Sequence, residues 1–229
     1  MQDIIEQYRF LLETVDAWFN QSQQRFSQEI HCRSGCSGCC RGFFDITLLD
    51  AALVSYGYQQ LAAPQRKIIH ARALSRLSEL QRRWPGFASP FLLNGLPDAE
   101  WTVMPEEDET PCPFLGAAGL CAIYLFRPMT CRLHGLPNID FSGESFSDQC
   151  CSLNFIEVDP LSLTEIRSDF RATFTRELDL FHAFTTQLIG RPMNELDLLL
   201  PLVPLLDFDR TDWQNLVFYS LLQPLEPSE

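Results

Sequence analysis

Residues 31–40 read HCRSGCSGCC, placing four thiols at Cys32, Cys36, Cys39 and Cys40. Five more follow at Cys112, Cys121, Cys131, Cys150 and Cys151. Thiolates are soft, anionic ligands suited to zinc, cuprous copper and iron-sulfur clusters, and ligands two or three residues apart converge on one centre without a long loop. Gly35 and Gly38 let the backbone bend sharply around an ion. The stretch also breaks a long helical pattern. This decides the expected fold class: mainly α, a helical frame around an irregular cysteine-rich metal-binding core with at most short β segments.

Upstream, Ile4, Tyr8, Leu11, Val15 and Trp18 form one apolar row, with Ile5, Leu12, Phe19 and Phe26 beside it. Spacings of three, four and seven predict an amphipathic helix over residues 3–29. Downstream, FFDIT predicts a short extended stretch leading into a helix capped by Thr47, with Asp50 in its first turn. Residues 64–84 predict a further helix with Ile68, Ala71, Leu74, Leu77 and Leu80 on one face, ended by Pro85 and Gly86. From there to about residue 160 no long period holds, which is unusual unless something other than periodic packing organises the backbone. Asp159-Pro160 then supplies a cap and first-turn proline for a helix carrying Leu163, Ile166, Phe170, Phe174, Leu178, Phe181 and Leu188, stopped by Gly190 and Pro192. The leucine-rich stretch 196–208, broken by Pro201 and Pro204, is too short to span a bilayer and reads as a buried or docking segment. A last helix is expected over roughly 211–222. The expected organisation is one domain over 1–229, with a metal-binding region at 31–151 and flanking helices in 1–30 and 160–222.

Seventeen basic residues against thirty acidic ones give a formal charge of −13, which disfavours nucleic acid and anionic membranes as partners. Only Lys67 is a lysine, so the positive charge is nearly all guanidinium. The opening MQDIIEQYRF has no basic region leading into an apolar one, so no secretory signal is expected and the reading places the protein in the cytoplasm. In a reducing compartment, clustered cysteines are metal ligands or redox groups rather than disulfide staples. All nine are candidate metal ligands. The adjacent pairs Cys39-Cys40 and Cys150-Cys151 do not suit one mononuclear tetrahedral site, because neighbouring side chains diverge; they serve either two centres or one polynuclear centre.

The spacing of Cys32, Cys36 and Cys39 matches the three-ligand cluster motif of radical-SAM enzymes. Here it follows a helix, and no repeated strand-helix barrel succeeds it, so the context is wrong. The run PCPFLGAAGLCAIYLFRPMTCRLHGLP, taken with SGCSGCCRGF, resembles the YkgJ-type cysteine-cluster family, also called the CxxCxxCC or zinc- or iron-chelating domain family. The resemblance runs from Cys32 to about Cys151 and includes Ile123, Tyr124, Arg127, Pro128 and Arg132. One departure is the extra residue between Cys32 and Cys36. The resemblance implies metal binding, with zinc or an iron-sulfur centre as the cofactor. A larger, distant relative is the flagellin lysine methylase; no G-x-G-x-x-G segment accompanies the cysteines here, and methylation is not carried over.

His31 and His134 adjoin cysteines and could replace a thiolate, whereas His70 and His182 sit in amphipathic helices as structural residues. Arg41, Arg127 and Arg132 could offset thiolate charge or form ion pairs with carboxylates. The acidic run at 106–109 reads as a solvated loop. No catalytic arrangement stands out, which leaves open whether the chain is an enzyme. Three functions fit: a metal-binding protein with zinc or an iron-sulfur centre, an iron-sulfur electron-transfer or oxidoreductase protein, and a metal-delivery protein.

Overall fold

A computed structural model describes residues 1–95 and 108–215. Most of the expected last helix, and Glu106 and Glu107 of the acidic run, lie outside the described residues. The architecture is mainly α with short two-stranded sheets, as the sequence predicts.

Helix α1 spans Gln2–Arg25 and buries Ile4, Tyr8, Leu12, Val15 and Trp18. The steps of three and four keep these residues on one face, so the helix lies along the core. It packs on α4 (Met129–Leu133) and α5 (Phe170–Ile189). Trp18 anchors it twice, edge-on to Phe170 at 4.9 Å and through its indole N–H to the Ile166 carbonyl at 2.7 Å.

Strand β1 (Asp45–Thr47) leads directly into α2 (Leu48–Gln59). The Thr47 hydroxyl accepts the Asp50 N–H at 3.1 Å, the expected cap. Helix α2 is buried nearly all round, at Leu48, Leu49, Asp50, Ala51, Leu53 and Val54, and so occupies the centre of the molecule. At Gly57 a Cβ would come within 2.5 Å of the Phe126 ring, so only glycine lets that turn approach.

Helix α3 covers Ala63–Arg83, but its buried face is Ile69, Ala73, Arg76 and Leu80. The expected row fails: Ile68 is 54% exposed and Leu74 46%. Residues exactly three apart slip about 60° backward at each step, whereas the 4-3-4 spacing holds one face. Arg76 carries no apolar signal, because hydropathy alone hides a buried cation. It is paired with Glu79 at 2.6 Å and with Asp108, and stacks on Phe43 at 3.7 Å.

The helix expected to start at Asp159-Pro160 begins instead at Phe170, capped by Asp169. Asp159 caps only the 3-10 turn Pro160–Ser162. The intervening chain is diverted: Ser168 donates to the Ile139 carbonyl and accepts from the Phe141 N–H, which holds it extended beside β2 (Asn138–Ile139). Leu178 is 44% exposed rather than on the core face, while Phe181 is buried. Gly190, at φ +90°, ends α5 as expected.

Strand β2 pairs with β3 (Ser145–Ser147), and β1 pairs antiparallel with β4 (Asp197–Leu199), Ile46 facing Leu198. The following 3-10 segment, Leu200–Leu205, packs against α3 and joins Leu80, Trp84, Phe87 and Phe91 in a second apolar cluster. The leucine-rich stretch is thus an internal element. Among the described residues no helix is long and apolar enough to cross a membrane.

Candidate metal centre

The first cysteine stretch is folded by two tight turns, Cys36 N–H to Arg33 O at 2.9 Å and Cys40 N–H to Ser37 O at 3.0 Å. Immediately afterwards the chain pairs with a segment some seventy residues away. Cys112 N–H donates to Cys40 O, and Gly42 N–H to Thr110 O, both at 2.9 Å. The second stretch then doubles back through Gly116 N–H to Leu120 O at 2.7 Å and Ala122 N–H to Phe114 O at 2.9 Å, which sets Cys121 beside Cys112. The two stretches touch at Gly119, where φ is +72° and a Cβ would meet the Gly35 carbonyl at 2.3 Å. Both the backbone angle and the contact demand glycine.

Cys131 arrives on α4. The Asp50 carboxylate accepts the Met129 N–H at 3.0 Å and so fixes the start of that short helix. Behind it, Phe114, Ile123, Met129 and Leu133 are core residues. Arg72 of α3 clamps the turn from outside by donating to Leu115 O at 2.7 Å and Pro113 O at 3.3 Å.

The nine thiols, all of them free, lie in overlapping neighbourhoods. The Cys40 thiol feels Cys112, Cys131 and Cys121. Cys131 in turn feels Cys112 and Cys121, and burial pushes it well above its ordinary value. Burial likewise pushes Cys112 up to about 12, and raises Cys121. Around Cys32 the neighbours are Cys151, Cys36 and Cys39; burial raises this thiol and a hydrogen bond from Asn154 opposes the rise. The adjacent pair joins the two neighbourhoods. Cys39 leans on Cys40 as a hydrogen-bond donor, which raises its own pKa and lowers that of Cys40. Cys150 lies near Cys151 and Cys32, but its thiol donates to Gly135 O at 3.2 Å.

Asn154, three residues past the last cysteine, fixes the surroundings of Cys32. Its Oδ1 accepts the His31 N–H at 2.9 Å, and its Nδ2 donates to Gly135 O at 2.8 Å and to the Cys32 sulfur at 3.5 Å. Nothing in its sequence context distinguishes it. Asp16, also missed, receives both Arg127 and Arg132. Arg41 pairs with Glu109 at 3.6 Å. All three arginines therefore make carboxylate pairs, and Arg127 additionally lowers the Cys39, Cys121 and Cys131 thiols through its charge. Tyr124 is 58% exposed and lies under the Arg127 guanidinium at 3.7 Å. Of the histidines, His31 contributes its backbone N–H, His134 meets Phe44 edge-on at 6.1 Å, and His182 bonds Asn194.

The donor set suits a soft cation. Thiols gathered close together and partly desolvated resist ionisation, and a positive ion among them reverses that resistance. Among the described residues no three Cys, His, Asp or Glu side chains converge at coordination spacing, so the thiols share neighbourhoods without closing a ligand shell.

Residues 31–152 match the family CxxCxxCC, described as "Putative zinc- or iron-chelating domain". The chain belongs to this family. The match spans more than half of the chain and covers all nine cysteines, which supports metal binding in general terms. No curated protein and no solved structure matches the chain significantly.

Proposed function

We propose that this CxxCxxCC protein holds two abutting four-thiolate zinc centres, one from Cys32, Cys36, Cys39 and Cys151, the other from Cys40, Cys112, Cys121 and Cys131. The observation that carries this reading is geometric: backbone pairing sets Cys40 beside Cys112 and the hairpin sets Cys121 beside Cys112, while Cys32 and Cys151 both lie against Gly135. Two sets of four are what two tetrahedral ions need, and they account for paired cysteines that a single mononuclear site cannot use. We favour zinc over iron-sulfur clusters because Cys39 and Cys40 are consecutive in the chain, which leaves the two sets little room between them. A single ion occupies less space than a cluster with its own sulfides.

Both ions would tie remote segments together, so binding energy becomes folding energy. Asn154 would orient the first set by donating to the Cys32 sulfur, and Arg127 would offset thiolate charge near both sets. The protein works in a reducing, cytoplasmic setting, where nine thiols remain free to ligate. The deciding experiment is elemental analysis with optical and paramagnetic spectra after anaerobic purification. The expected result is two zinc per chain and no visible absorbance; brown protein bleached by dithionite would replace zinc with an iron-sulfur centre.

A further inference from the structure

Cys150 is the one thiol that the two four-thiolate sets leave over, and it stands at a boundary. On one side it lines a half-open cavity of about 560 Å³ between the β1-β4 pair and α4. On the other its thiol donates to Gly135 O at 3.2 Å. That carbonyl also accepts the Cys151 N–H at 3.3 Å and Asn154 Nδ2 at 2.8 Å, and the same Nδ2 lies 3.5 Å from the Cys32 sulfur. A Cβ added to Gly135 would meet the Cys32 sulfur at 3.6 Å and the Cys151 Cβ at 3.9 Å. Three cysteines therefore crowd one glycine, and of these only Cys150 lines the cavity.

The cavity suits passage of a cation rather than its storage. Its volume is many times that of one water molecule, which leaves room for an ion with its hydration shell. No Lys or Arg is among its described lining residues, so no ammonium or guanidinium group there repels an entering cation. His134, which directly precedes Gly135 in the chain, lines the same wall and adds an imidazole to the Cys150 thiol. Among the described residues no three Cys, His, Asp or Glu side chains converge at coordination spacing, so the cavity offers a cation too few fixed ligands to retain it.

We infer that Cys150 is the exchange thiol of the first zinc centre, taking the ion from the cavity and passing it to Cys32 and Cys151. This role rests on the two-zinc reading above. The Cys150 sulfur releases its proton to solvent as it bonds an incoming ion. The Cys32 and Cys151 thiols lose their protons to solvent as they bond the ion in turn, and the Cys150 sulfur, displaced, takes a proton back. Zinc accepts a fifth ligand in passing, so each displacement proceeds without a bare ion. Cys150 then returns unchanged to its hydrogen bond with Gly135 O.

The test is isotope exchange on the full-length protein as purified with its metal. Elemental analysis comes first, and each protein is then incubated with isotopically enriched zinc chloride and sampled over time by mass spectrometry. The expected result is two zinc in wild type and in Cys150→Ala alike, with the fast-exchanging equivalent roughly tenfold slower in the variant, the other equivalent unaffected and circular dichroism unchanged. Ser147→Tyr narrows the cavity from β3 while leaving every thiol in place, and it should slow the same equivalent. That second variant keeps the proposal decidable if Cys150→Ala fails to fold. Two zinc with equal exchange rates in wild type and the folded variants would overturn the role of Cys150 alone and leave the exposed Cys36 as the route of exchange. Loss of one zinc in Cys150→Ala would make Cys150 a resident ligand and overturn the role in that way. Zinc-free wild type, found before any exchange begins, would overturn the two-zinc reading and the role of Cys150 with it.

Discussion

The two thiol groups have the same donors and different surroundings. Cys36 of the first proposed set is exposed, and Asn154 holds the Cys32 end of that set through the Cys32 sulfur, the His31 N–H and the Gly135 carbonyl. The second rests on Phe114, Ile123, Met129 and Leu133, takes Cys131 from a helix start fixed by Asp50, and is clamped by Arg72. Desolvation acts most strongly on the second group, at Cys131 and Cys112. A thiolate set inside the core is coupled to folding, while one at the surface can open without unfolding the rest. On the proposed reading, this difference would separate a structural ion from an exchangeable one.

The largest expected effect comes from breaking the inner group. Cys131→Ser should remove one of two zinc ions and lower stability by more than about 3 kcal/mol, read by elemental analysis and thermal melting. Cys36→Ser should remove the other ion at a cost of only about 1–2 kcal/mol. If either substitution strips both ions, a single polynuclear centre replaces the two.

Chelation sharpens the same contrast kinetically. A moderate chelator should withdraw one equivalent of zinc rapidly from native protein and the second only as the chain unfolds. Simultaneous release of both, followed optically with a zinc indicator, would erase the distinction. Asn154→Ala comes next, leaving the His31 N–H without its partner and the Gly135 carbonyl without one of its donors. It should cost about 1–3 kcal/mol and accelerate release of the first ion alone.

The smallest effect is a pH liability in the frame of the inner group. The Tyr8 hydroxyl joins Glu177 to Asp50, which holds the start of α4. Glu177 is raised to about 8 from an ordinary 4.5, so the folded chain keeps a proton that the unfolded chain has lost. Stability from this group is therefore full below about pH 4.5 and falls as pH rises toward 8, by at most about 1.4 kcal/mol per pH unit. Glu177→Gln should flatten that decline. Comparing metal-loaded wild type and variant between pH 7 and 8, the expected gap widens by about 1 kcal/mol; parallel curves would remove Glu177 as the cause.

Helix α1, the Thr47 cap and the Gly190 stop were legible because each depends on residues within a turn or two. The face of α3 was misread because a row of apolar residues at equal threes looked continuous, while the buried stripe contains an arginine whose partner Asp108 is distant in sequence. The start of α5 was misplaced because Asp159-Pro160 carries a sound local cap, and only the pairing of Ser168 beside β2 shows why the helix waits until Phe170. The cysteines themselves were legible, whereas Asn154 and Asp16 were not. Their roles exist only where several remote segments meet.

By itself the sequence determined the ligand chemistry, the family and the mainly helical frame, because thiol spacing, motif order and apolar periodicity are short-range properties. Tertiary structure decided which thiols are neighbours. Cys40 is brought to Cys112 by backbone pairing with a stretch some seventy residues away, and Cys32 is brought to Cys151 beside Gly135. Those neighbours rest on hydrogen bonds between segments far apart in the chain, and no local spacing encodes them.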